Sequence, residues 1–160
     1  MMFSRRAGIT LILTALSLSL PSGIHRLTQA TGIQLQTPEQ FLGFRVGEDR
    51  KLARWDKIVE YLKLVDAASD RVNLRELGKT TLNNPFIELE ISSSDTIKNL
   101  DRYKELERKL YFQGGAPSET ERDEIFRSGK AVVLVTCNIH STEIGASQMV
   151  LELVHRLATE

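Results

Sequence analysis

The chain reads as an α/β protein built on a partial mixed β-sheet with flanking helices. Three observations predict this. Leu52, Trp55, Ile58, Val59, Leu62 and Val65 recur at helical spacing with charges between them. Two short segments, Val72 to Leu77 and Ile87 to Ile91, alternate apolar and polar residues. Ala131 to Thr136 is a continuous β-branched and apolar run, as suits a central strand covered on both faces. Helical and strand patterns that interleave along the chain place it in this class.

Taken in order, residues 1–30 read as an export signal. Arg5 and Arg6 form a basic start, Gly8 to Leu20 is apolar or small apart from its Thr and Ser, and Pro21-Ser22-Gly23 breaks the run. Thr28-Gln29-Ala30 offers the small residues of a cleavage site, so cleavage is expected after Ala30. The run is short for a bilayer span of about twenty residues. The expectation is therefore a periplasmic or secreted bacterial protein with no stable membrane partner once the signal is removed. Residues 31–48 carry Gly, Gln and Pro with little periodicity and read as a linker or N-terminal arm.

The first helix is expected from Asp49, a possible cap, to Ala68. A β-hairpin follows, its strands joined through Gly78 to Pro85 with Asn83 and Asn84 as turn formers. Ser92 to Asp95 offers caps for one helix over Thr96 to Leu110, burying Ile97, Leu100, Tyr103, Leu106 and Leu110. Ser118-Glu119-Thr120-Glu121 is a capping box. The short helix it opens should close at Gly129 as a left-handed cap. Beyond the buried strand, Ile144, Met149, Leu151, Val154 and Leu157 support a last helix to about Ala158.

Composition narrows the function. Twenty-one basic residues balance 21 acidic ones, so no net field draws in nucleic acid, and no basic stripe with aromatics appears. Cys137 is the one cysteine, which excludes an internal disulfide framework and a cysteine metal cluster. It reads as a small buried residue at a strand end.

The chemistry lies in Asn138-Ile139-His140-Ser141-Thr142-Glu143-Ile144-Gly145, directly behind the apolar run. His140 and Glu143 stand where a strand gives way to a helix, the usual place for a functional crevice in α/β sheets. A neutral imidazole and a carboxylate are donors that zinc accepts at roughly 2.0–2.2 Å. A carboxylate is also favoured at a helix N-terminus. The order excludes a His-Glu-x-x-His helix. Taken bare, His-x-x-Glu arises by chance in roughly one such chain in five, so a solvated helix start and a metal site both stay open on the pattern alone. His25 falls in the expected signal. His155 lies twelve residues beyond Glu143, about 18 Å along one helix, too far to share its metal. It reads as a surface or flanking residue.

These residues resemble the zinc carboxypeptidase family, the carboxypeptidase A-like metallopeptidases. The likeness is strongest over Val132 to Gln148 and extends to Leu77-Gly78-Lys79-Thr80 and Pro85-Phe86-Ile87, although Asn84 stands where the family commonly has Arg. It spans about Trp55 to Glu160, with Asp95 to Gly129 an enlarged connection. The resemblance implies that His140 and Glu143 are two of three ligands of a His₂Glu zinc site. It also implies hydrolysis at peptide or protein C-termini by a zinc-activated water. The third ligand, the general base and the carboxylate-binding arginines match no position here, so no catalytic residue is assigned. The expectation is that 49–160 form the N-terminal part of such a catalytic domain, truncated and inactive alone. Two other readings compete: a zinc-dependent deacylase of the aspartoacylase type, and a non-catalytic exported binding domain. The Gly-Lys-Thr hairpin and the export signal favour the peptidase over the deacylase, and a chain ending in helical pattern without a stop signal argues against the binding domain.

Overall fold

The computed structural model describes residues 35–111 and 114–160. The expected export signal lies outside them. The elements run α1 (Pro38–Leu42), α2 (Trp55–Ala68), β1 (Val72–Lys79), β2 (Pro85–Ile91), α3 (Ser94–Lys98), α4 (Leu100–Tyr111), α5 (Glu119–Ser128) and α6 (Ile144–Thr159). The architecture is mixed α and β: a small antiparallel sheet with flanking helices.

The core is where α2, one face of the hairpin and α6 meet. Alpha-helix α2 buries Ile58, Val59, Leu62 and Val65 of the expected stripe and Tyr61 besides, whereas Leu52, ahead of the helix, and Trp55, at its start, are exposed. Val72, Leu151, Val154 and Ala158 join them, and Leu74, Leu89 and Ile91 of the hairpin pack on the outside. Each fully buried aliphatic side chain contributes roughly 1.5–3 kcal/mol. The segment expected to be a featureless arm adds to this core. Thr37 and Gln40 cap α1 reciprocally, and Phe41, Leu42, Phe44 and Val46 pack on the cluster.

Two buried polar ties complete the packing. Tyr61 Oη lies 2.8 Å from both the Gln36 carbonyl and His155 Nδ1. The carbonyl can only accept, so the phenol donates to it and His155 Nδ1–H donates to the phenol oxygen. His155 is therefore a half-buried link between helices, not a surface residue. Gln148, buried on α6, accepts from Ala53 N–H at 2.9 Å and donates to Ala53 C=O at 3.1 Å.

That second tie helps explain why α2 starts at Trp55 and not at Asp49. Arg50 is left-handed at φ 60, and the Ala53 carbonyl is engaged by Gln148. Among the described residues Asp49 makes only an exposed ion pair with Arg50.

The hairpin pairs Val72 with Ile91 and Leu74 with Leu89, with a bulge between Glu76 and Gly78. Gly78 stands there at φ 146, which favours glycine. The expected single helix over 96–110 is two. Asn99 leaves helical geometry at φ −112, ψ 24, and its side-chain amide takes the Asp95 carbonyl at 2.8 Å. Of the expected stripe only Leu106 is buried, while Ile97, Leu100, Tyr103 and Leu110 are half-buried.

Ser118 and Glu121 form the expected capping box of α5. Gly129 ends that helix in extended geometry, φ −67, ψ 172, and not left-handed. A Cβ there would lie 2.5 Å from the Ile125 carbonyl oxygen, so close backbone approach is what demands glycine.

Ala131 to Thr136 is the main departure from expectation. The run forms no strand, and Val132, Val133 and Leu134 are 77%, 83% and 84% exposed. Its composition suits pairing on both edges and cover on both faces, but among the described residues the sheet holds only β1 and β2. Cys137 at its end is half-buried. On α6 the buried residues are Gln148, Leu151, Val154 and Ala158, while Ile144, Met149 and Leu157 face solvent. Among the described residues no helix is long and apolar enough to cross a membrane.

Candidate metal centre

The extended apolar run leads into a tight turn over 139–142 and then into α6, with Glu143 at the N-cap. The Glu143 amide donates to the His140 carbonyl at 3.1 Å and closes the turn. This brings the two sequence-predicted ligands together. His140 Nδ1 lies 2.6 Å from Glu143 Oε1. The other carboxylate oxygen, Oε2, accepts the backbone N–H groups of His140 at 3.0 Å and Ile139 at 3.1 Å.

Those bonds decide the electrostatics of the site. The His140 N–H holds the Glu143 carboxyl below the ordinary glutamate range, and the His140 ring and the Ile139 N–H add to the effect. The carboxylate is thus kept ionised, as a metal ligand must be. The His140 and Glu143 side chains are 72% and 51% exposed, so a cation reaches them from solvent.

The donor chemistry fits zinc. The His140 imidazole nitrogen and the Glu143 carboxylate oxygen, side by side at 2.6 Å, are the donor types that would hold such an ion. A metal would displace whatever proton the Nδ1 and Oε1 atoms share. The described residues supply two donors; among them no group of three or more His, Cys, Asp or Glu gathers. Cys137 precedes the turn, and His155 is engaged with Tyr61 at the far end of α6.

Two residues beside the pair, Asn138 at the head of the motif and Ser147 on α6, carry no role in the sequence analysis. Asn138 is left-handed at φ 71, and its side-chain amide donates to Ser147 Oγ at 3.1 Å. Ser147 Oγ in turn donates to the Ile144 carbonyl at 3.2 Å. A signal existed: Asn, here two residues past the strand-like run, is the residue, after Gly, that best tolerates left-handed geometry.

Comparison with protein families matches residues 58–160 to zinc carboxypeptidase. The match opens inside α2, takes in the whole hairpin, and includes His140 and Glu143. The curated proteins and the solved structures give no match. With well over half its length inside that match, the chain belongs to the zinc carboxypeptidase family.

Proposed function

We propose that this chain serves an exported zinc metallocarboxypeptidase that hydrolyses peptide bonds at the C-termini of peptides or proteins. His140 and Glu143 are two of the metal's ligands in this reading. The observation that carries it is the 2.6 Å convergence of an imidazole nitrogen and a carboxylate oxygen within the family-matched span.

A bound zinc ion supplies Lewis acidity to a peptide carbonyl and to water. The chain's own contribution is the geometry around it. The Ile139 and His140 amides hold one oxygen of Glu143, which keeps the carboxylate ionised and aims its other oxygen at the side of His140 Nδ1. The turn fixes both ligands within three residues, so little ordering cost falls on binding. The third ligand, the general base and the groups that read a terminal carboxylate are assigned to sequence outside the described residues. The periplasmic or secreted address rests on the Arg5-Arg6 start, the Gly8–Leu20 run and the Thr28-Gln29-Ala30 site.

The test is to express the gene product that carries this chain and assay release of the last residue from an N-blocked dipeptide. Release sensitive to 1,10-phenanthroline, restored by zinc and lost in His140→Ala, is expected. Metal-independent release, or full activity in His140→Ala, refutes the proposal.

A further inference from the structure

We propose that Asn138 is a positioning residue for the metal ligands, acting through its left-handed backbone and its tie to Ser147. The inference rests on the reading of His140 and Glu143 as ligands and deepens it.

Four observations lead there. First, Asn138 has φ 71, a left-handed conformation that disfavours most residues with a Cβ and that Asn tolerates best. Second, the two amides that follow it, Ile139 and His140, both point at the same atom, Glu143 Oε2. Successive N–H groups that converge on one anion are what a left-handed residue in a turn produces. Third, the Asn138 side chain is pinned to Ser147 Oγ on the first turn of α6, and that oxygen is itself bonded to the Ile144 carbonyl. The turn before the helix is thus tied to the helix that carries Glu143. Fourth, the His140 and Glu143 side chains are mostly exposed, so hydrogen bonding, not packing, holds them in register.

The consequence is a division of labour within one carboxylate. With Oε2 held by two amides, Oε1 is left beside His140 Nδ1. If Asn138 relaxes to negative φ, the two amides turn away and Glu143 becomes free to rotate. Zinc must then order both side chains on binding.

The experiment is a zinc titration by calorimetry on the full chain, wild type against Asn138→Ala, Asn138→Gly, Ser147→Ala and His140→Ala. Each variant is checked for fold by far-UV circular dichroism and thermal melting. Loss of the left-handed preference in Asn138→Ala is expected to weaken zinc binding about tenfold. Asn138→Gly restores that preference but lacks the tie to Ser147, so it should bind only about two- to threefold more weakly than wild type. Ser147→Ala, which removes one exposed hydrogen bond, should weaken binding about two- to threefold. The backbone ¹⁵N–¹H shifts of Ile139 and His140 should move in Asn138→Ala and hold in Asn138→Gly, a response that a merely structural role does not predict.

Wild-type affinity in Asn138→Ala, or an Asn138→Gly variant as weak as Asn138→Ala, overturns the inference. If Asn138→Ala fails to fold, unchanged affinity in Ser147→Ala overturns it instead. Unchanged zinc binding in His140→Ala is a different failure: it removes the ligand assignment itself.

Discussion

Gln148→Ala offers the clearest test of how α6, and with it the candidate site, is held to the rest of the molecule. Gln148 is 8% exposed and meets both backbone polar groups of Ala53, itself 6% exposed, across 95 residues of chain. Truncation leaves one N–H and one C=O buried without partners. Each such group costs about 1–3 kcal/mol, less whatever a water entering the vacated space recovers. The expected loss is about 3 kcal/mol, read in urea unfolding as a midpoint lowered by about 1–2 M at unchanged slope. Leu157→Ala, on the exposed side of the same helix, should cost less than about 1 kcal/mol and serves as the control.

Gln148→Glu adds a pH signature. Only the protonated acid can both accept from Ala53 N–H and donate to Ala53 C=O, so folding raises its pKa. Stability from that group is then fully present below the unfolded pKa and is lost as pH rises through the folded one. Relative to wild type, the variant should be less stable at pH 7.5 than at pH 4.5. A Gln148→Ala protein within about 0.5 kcal/mol of wild type would refute the claim that this amide secures α6.

Four further outcomes follow from the packing and the charges around it. Tyr61→Phe strips partners from the Gln36 carbonyl and His155 Nδ1–H, and should cost about 1–2 kcal/mol in urea unfolding. The ¹⁵N spectrum of His155 should show the Nδ1–H tautomer in the wild type. Burial pushes the Glu90 carboxyl up, but bonds from Lys104 and Asn73 and the charges of Lys104 and Arg75 outweigh it and hold the group below the ordinary glutamate range. A depressed pKa gives stability that is present above the unfolded value and lost as pH falls through the folded one. Glu90→Gln should therefore cost about 1 kcal/mol at pH 7 and make unfolding less sensitive to pH below the glutamate range. Leu134→Lys should change stability by no more than about 0.5 kcal/mol, because the side chain is 84% exposed; a loss above about 2 kcal/mol would show the run to be buried.

What the sequence made legible was local. The α2 stripe, the hairpin with its Asn83 turn and the Ser118–Glu121 capping box each follow from residues within one or two turns of one another. So does the proximity of His140 and Glu143, since three residues across a tight turn can hardly be far apart. Legibility failed where a distant group won. Ala53 lies outside the helix expected to hold it, and its backbone groups pair with Gln148, 95 residues on. His155 is drawn inward by Tyr61, 94 residues before it. The helix breaks at Asn99, whose side-chain bond to the Asp95 carbonyl is a local feature that periodicity does not register.

The apolar run at 131–136 illustrates a different limit. Hydrophobic pattern states what a segment is suited to bury, not that a neighbour is there to bury it. The same holds for the ligand pair. Its chemistry could be read from two side chains, but the backbone device that orients them depends on a φ value that composition does not reveal.

The proposed pairing of His140 and Glu143 on one zinc ion is open to X-ray absorption at the zinc edge, on the zinc-loaded chain and its His140→Ala variant. The wild type should show imidazole scattering with nitrogen and oxygen neighbours at about 2.0–2.2 Å. The imidazole signature should vanish in His140→Ala, and Glu143→Ala should lower the zinc retained. An identical spectrum in His140→Ala would rule out His140 as a ligand, because zinc would then be held by another histidine.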